Sequence, residues 1–99
     1  RLVRHLPETG RRSLFLSSHA GGIVGWPRPE AMAFLRDLTE HATQRRFVHA
    51  HKWTQGDVLL WDNRATMHRG RRFDDQKYRR DLRRTITACE MSTLEERAA

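Results

Sequence analysis

Cysteine, long apolar runs and acidic side chains are all scarce in this 99-residue chain. The one cysteine, Cys89, excludes an internal disulfide and any zinc site built from several cysteines. No apolar run approaches the roughly 18 residues needed to span a bilayer, and nothing near Arg1 has the pattern of a secretory signal. A soluble, reducing, cytoplasmic setting is the expectation. Hydrophobic residues make up 37% of the chain and gather in a few segments, so the core expected of so short a chain is modest. The length allows one small domain or a piece of a larger one. Arg1 to Arg12 reads as the middle of something already under way, with no initiator methionine, which leads us to expect a fragment or domain excerpt.

What is present in excess is arginine. Nineteen Lys and Arg against twelve Asp and Glu give a net charge of +7, with Arg greatly outnumbering Lys. Such a balance points to anionic partners. Arg69, Arg71, Arg72, Lys77, Arg79, Arg80, Arg83 and Arg84 crowd into one stretch, and the rest of the chain is close to balanced. Guanidinium suits bidentate carboxylate binding better than diffuse attraction.

The hydrophobic pattern predicts the order strand, helix, then three or four strands. Pro7-Glu-Thr-Gly10 reads as a turn and Ser13–Ser18 as a short strand, broken by His19-Ala-Gly-Gly22. Pro27 and Pro29 open a helix, because the first turn tolerates a missing N–H. Ala31, Phe34, Leu35, Leu38 and Ala42 then follow the stripe of an amphipathic helix. Phe47–Trp53 alternates with period two, Gln55-Gly56-Asp57 is a tight turn, and Val58–Trp61 is apolar enough for a buried strand. Arg69–Lys77 reads as a charged loop, and Leu82–Cys89 as a last strand. The fold class is mostly β with one inserted helix, with too few strands to close a barrel alone.

Chemistry concentrates in Trp61-Asp-Asn-Arg-Ala-Thr-Met-His68, where an apolar segment turns at Asp62-Asn63 and delivers a histidine. Asp62 and Asn63 can tie the turn by side-chain-to-backbone hydrogen bonds, which gives His68 the rigid base a metal ligand needs. Alone, such a histidine is more often a packing or surface residue. Arg80 and Arg84 follow it, and on a strand they share a face. Two guanidinium groups aimed inward would require anionic partners, and a dicarboxylate cosubstrate would supply them. The bland alternative is a solvated basic strand edge.

His41-Ala-Thr-Gln44, His51-Lys-Trp53 with Gly56-Asp57, Trp61-Asp-Asn-Arg64, His68-Arg-Gly70, Arg79-Arg80 and Arg83-Arg84-Thr85 together resemble the TauD/TfdA dioxygenases. Pro7-Glu-Thr-Gly10 and Ser18-His-Ala-Gly21 also look familial, and the resemblance runs to about Glu90. His68-Arg-Gly-Arg-Arg-Phe-Asp74 looks closer to the phenoxyacetate-type branch than to taurine dioxygenase. The resemblance implies that residues 1–99 form the C-terminal portion of a double-stranded β-helix, or jelly roll, incomplete on its own. It also implies Fe(II) held by a 2-His-1-carboxylate triad, with 2-oxoglutarate and O₂ at the open positions. By resemblance His68 is the distal iron ligand, Arg80 pairs with the far carboxylate of 2-oxoglutarate, and Arg84 lies near its iron-bound end and the substrate's anionic group. No catalytic residue beyond the metal site is implied.

The family's other two ligands come from an upstream His-X-Asp or His-X-Glu motif. None of the six histidines here has a carboxylate two residues on: Pro7, Gly21, Thr43, His51, Trp53 and Gly70 occupy those places. The resemblance implies that the parent protein hydroxylates a small anionic molecule, aryloxyalkanoate-like or taurine-like, while 2-oxoglutarate is decarboxylated to succinate. The 99 residues alone are expected to be inactive. Homo-oligomers are common in the family; nucleic acid and membrane are not expected partners. Two other readings stand beside this one: a small basic nucleic-acid-binding module, and a non-catalytic remnant of the fold. His49 and His51 on one strand face are read as packing, His19 as a loop residue, Cys89 as a small core residue, and Trp26, Trp53 and Trp61 as packing.

Overall fold

Four residues on either side of a four-residue turn start the fold. Strands β1 (Val3–Leu6) and β2 (Arg11–Leu14) pair antiparallel, with Val3 opposite Leu14, Arg4 opposite Ser13, His5 opposite Arg12 and Leu6 opposite Arg11. The expected turn closes them: the amides of Thr9 and Gly10 both donate to the Leu6 carbonyl, at 3.2 and 2.8 Å, and Gly10 takes φ +68°, which glycine adopts without strain. Our coordinates are a computed structural model and describe residues 1–88.

The hairpin corrects the sequence reading twice. The strand expected at 13–18 runs instead over Arg11–Leu14, and β1 lies in a stretch to which no strand was assigned. Its strand character comes from pairing rather than composition, because β1 contains Arg4 and His5. Cross-strand neighbours share a face, so Arg4 and Leu6 lie on the same side as Ser13 and Arg11. That side is the covered one: Leu6 is buried, and Arg4 is only 6% exposed with its guanidinium 4.9 Å from the Phe15 ring centre.

Helix α1 (Arg28–Ala42) forms where the stripe predicts. Pro27 precedes its first turn, and its carbonyl accepts the Ala31 amide at 3.0 Å. Glu30 in the first turn and His41 in the last complement the helix dipole. The end is tied by threonine: the Thr43 amide and hydroxyl both donate to the Thr39 carbonyl, at 3.0 and 2.7 Å. Ala31 and Leu35 are buried, and Phe34 packs on Trp26 with ring centres 5.2 Å apart. A 3-10 turn, Arg45–Phe47, follows and takes Phe47 out of the strand expected at 47–53.

Beyond residue 47 no further strand or helix forms among the described residues. The segments expected as strands at 48–53, 58–61 and 82–88 are present without ladder partners; Cys89, the end of the last, lies outside the described residues. Val58 and Leu60 are 92% and 95% exposed, against 42% and 39% for Leu59 and Trp61. Exposure alternates along the run, and the buried strand expected there does not form. An apolar strand is stabilised by the ladder and the facing layer, and the described residues supply neither around Val58–Trp61. The small antiparallel sheet and single helix are thus the regular structure in the described residues. The chain's accessible surface of 9816 Å² exceeds the roughly 5,900 Å² of a folded monomer of its mass. No helix among the described residues is long and apolar enough to cross a membrane.

Candidate functional site

The turn after Trp61 is built by Asp62. Its carbonyl accepts the amides of Ala65 and Thr66, both at 3.1 Å, and the Thr66 hydroxyl at 2.8 Å. Its carboxylate accepts the Arg64 amide at 2.8 Å, which is the side-chain-to-backbone tie expected from the sequence. Asn63 acts differently: its Oδ1 accepts the Trp61 indole N–H at 2.7 Å. Chain reversal then brings His68 back against Trp61, with ring centres 4.9 Å apart and planes tilted by 51°. His68 is exposed on this turn and flanked by an aromatic wall.

Arg64 fastens the turn to the hairpin. Its Nε and Nη2 grip the Asp62 carboxylate, with Nη2 at 2.9 Å from Oδ2, while Nη1 reaches Glu8 Oε1 at 2.9 Å. Its carbonyl accepts the Ser13 hydroxyl at 2.6 Å. The Arg64 side-chain bond holds the Asp62 carboxyl below its usual range, reinforced by the Arg64 amide, and likewise lowers Glu8. Asp62 and then Glu8 raise the Arg64 guanidinium in return. Arg4 adds a weaker pull on Asp62 from the same side of the hairpin.

Arg80 comes back to the His68 segment. Its guanidinium nitrogens lie 3.8 and 3.9 Å from where a Cβ on Gly70 would sit, and its carbon is 5.8 Å from the Phe73 ring centre. The chain thereby puts the guanidinium of Arg80 beside a residue two positions past His68. Arg84 is exposed, and the strand over 82–88 that would have set it beside Arg80 is not formed. His51 pairs with Asp57 at 3.0 Å and packs edge-on to Trp53, in keeping with a packing role. The Thr54 amide, followed by His51, lowers the Asp57 carboxyl. His19 lies in a small turn, its amide donating to the Ser17 hydroxyl at 3.1 Å. A shallow groove of about 210 Å³ between Ser17–Ala20 and α1 includes none of His68, Arg80 or Arg84. Among the described residues no three His, Cys, Asp or Glu side chains converge as a metal cage.

Sequence reasoning missed the Arg64–Glu8 pair and the seat of Arg80 on Gly70 and Phe73. Each partner stood in a recognised turn or motif, but a contact across 56 positions leaves no local trace.

The family described as "Taurine catabolism dioxygenase TauD, TfdA family" matches residues 1–86. The chain belongs to the TauD/TfdA family. It is 49% identical over 86 residues to an alpha-ketoglutarate-dependent 2,4-dichlorophenoxyacetate dioxygenase of Cupriavidus pinatubonensis, covering 87% of this chain and 30% of that one. A (S)-phenoxypropionate/alpha-ketoglutarate-dioxygenase of Delftia acidovorans is 47% identical over 73 residues, covering 74% and 25%. Among solved structures, AAD-2 in complex with Mn(II) and N-oxalylglycine superimposes with a TM-score of 0.75 at 56% identity, covering 78% of this chain and 31% of that one. The chain thus spans about 30% of the length of these TauD/TfdA relatives.

Proposed function

We propose that this chain forms the C-terminal part of a jelly-roll Fe(II)/2-oxoglutarate-dependent dioxygenase that hydroxylates a small anionic substrate of the aryloxyalkanoate class. The observation carrying this reading is the return of the Arg80 guanidinium to Gly70, two residues beyond His68. A metal-ligating imidazole and a carboxylate-binding guanidinium are needed within one cosubstrate length of each other. Names of relatives at 49% and 47% identity support the substrate class.

The donor set fits its share of the site and no more. His68 supplies one imidazole, and the facial geometry expected for non-haem iron needs two further ligands. Those come from outside these residues, since no histidine here is followed two positions later by a carboxylate. Iron and 2-oxoglutarate, when bound, would activate O₂ as the oxidant, one oxygen atom going to the substrate and the other to succinate, with CO₂ released from the oxoacid. Arg80 holds the far carboxylate of 2-oxoglutarate by charge-assisted hydrogen bonds, with Phe73 restricting its guanidinium. Arg84 serves the other end of the oxoacid and the substrate's carboxylate. The turn at Asp62 fixes where the His68 imidazole starts, and Trp61 limits the directions it can face.

The test is succinate formation by the complete protein with iron and 2-oxoglutarate, with and without 2,4-dichlorophenoxyacetate. Substrate-coupled succinate is expected from the wild type and none from His68→Ala. Turnover retained in that variant would overturn the ligand assignment.

A further inference from the structure

We propose that Arg64 is a positioning residue: it locks the turn carrying His68 to the β1–β2 hairpin through Glu8, and so sets the affinity of the metal site. This rests on the reading of His68 as a metal ligand. Arg64 is held at four points, namely its amide on Asp62, its carbonyl under Ser13, its Nε–Nη2 fork on Asp62 and its Nη1 on Glu8. Two of these contacts reach across 51 and 56 positions of sequence, to β2 and to the hairpin turn. Both hairpin contacts therefore close on a residue four positions ahead of the candidate ligand.

The geometry separates two jobs. Asp62 shapes the turn locally, through bonds to Arg64, Ala65 and Thr66. Arg64 carries that shaped turn to the hairpin, where its Nη1 meets Glu8 and its carbonyl meets Ser13. A single exposed ion pair contributes little to stability, and the Glu8 carboxylate is largely solvent-facing. The value of the link is orientation: a ligand side chain needs its backbone held to within about half an ångström. Lysine cannot replace it fully, since one ammonium cannot fork Asp62 and reach Glu8 in the same plane.

The experiment measures Mn(II) affinity of the complete protein by electron paramagnetic resonance, alongside the KM for 2-oxoglutarate, kcat and thermal melting. Arg64→Ala should weaken Mn(II) about 10-fold or more, in the range typical of residues that orient metal ligands. Arg64→Lys should fall between it and the wild type, and Glu8→Gln, which keeps an acceptor, should weaken Mn(II) by about two- to threefold. A merely structural role would lower the melting point or the active fraction and leave Mn(II) affinity of the folded protein unchanged. A folded Arg64→Ala protein binding Mn(II) within twofold of wild type would overturn the proposal. If Arg64→Ala does not fold, Arg64→Lys and Glu8→Gln decide: weakened Mn(II) binding supports the proposal, and wild-type affinity in both overturns it. His68→Ala separates the two claims. If His68→Ala binds Mn(II) like wild type, the ligand reading fails and takes this proposal with it. If His68→Ala loses Mn(II) while Arg64→Ala keeps it, only the role of Arg64 falls.

Discussion

Residues 1–47 and residues 48–88 are of similar length and comparably rich in apolar side chains, yet only the first half folds on its own terms. It holds the hairpin, the helix, the 3-10 turn and every buried residue among those described, namely Arg4, Leu6, Leu16, Ala31 and Leu35. The second half holds His68, Arg80 and Arg84 but no regular element and no buried side chain. The difference is one of range. A hairpin closed by a four-residue turn and a helix of 15 residues satisfy their backbone groups locally. Strands such as Val58–Trp61 need neighbours from far along a chain, and long-range pairing must be supplied before it stabilises anything. The scaffold of this piece and the residues proposed for its chemistry thus lie in separate halves, which meet where Arg64 contacts Glu8 and Ser13.

The sharpest way to break that division is at His68. In the complete protein His68→Ala should abolish succinate formation while leaving the melting temperature within about a degree or two, because an exposed imidazole away from any core adds little to stability. A large loss of stability would show that the second half carries structure as well as chemistry. Next in size comes Arg80→Ala, which should raise the KM for 2-oxoglutarate about 10- to 100-fold by removing charge-assisted hydrogen bonds. Gly70→Ala is the control on the same contact: the added methyl would sit 3.8 Å from the Arg80 guanidinium, an ordinary van der Waals distance, so near-normal KM is expected. An unchanged KM in Arg80→Ala would refute its role.

The first half should answer in stability instead. Leu35 is 8% exposed on the inner face of α1, and Leu35→Ala should cost about 2–3 kcal/mol, read as loss of helix signal in the 99-residue chain. Leu60→Ala in that same chain should be silent, within about 0.5 kcal/mol, because Leu60 is 95% exposed. In the complete protein the two should converge, since a jelly roll would bury Leu60 between layers. If Leu60→Ala stays silent there, Val58–Trp61 is not a barrel strand.

How far the sequence could be read follows the same line. Helix α1 was legible because its apolar stripe, its opening prolines and its termination are all local, and it forms within a residue or so of the predicted bounds. The turn at 7–10 was legible for the same reason, whereas β1 was not, since Arg4 and His5 hide a strand that exists by pairing with β2. The apolar run at 58–61 was read as a buried strand, which the described residues do not form, because burial depends on layers that composition does not reveal. His68 and Arg80 were singled out through the family pattern, which did not say that Arg80 would lie near Gly70 and Phe73. Arg64 stood inside the most informative motif and its partner Glu8 inside the best turn, but nothing in either segment names the other.

The smallest effect expected concerns the joint between the halves, and it has a definite sign. Glu8 and Asp62 are both lowered from ordinary values of 4.5 and 3.8, chiefly by hydrogen bonds from the Arg64 side chain. A depressed carboxyl contributes stability that is fully present above its unfolded value and is lost as pH falls through the folded one. Both groups are solvent-exposed, so the contribution is small and screened by salt. The informative quantity is therefore the difference in melting temperature between the wild type and Glu8→Gln, which cancels acid effects elsewhere. It should be flat from neutral pH down to about 5, then shrink as Glu8 is protonated, vanishing once its folded value is passed. High salt should reduce it at every pH. A difference that stays constant through the acid range would mean that the Glu8 charge plays no part, leaving the Ser13 bond to the Arg64 carbonyl, with the pull of Arg4 on Asp62, to join the halves.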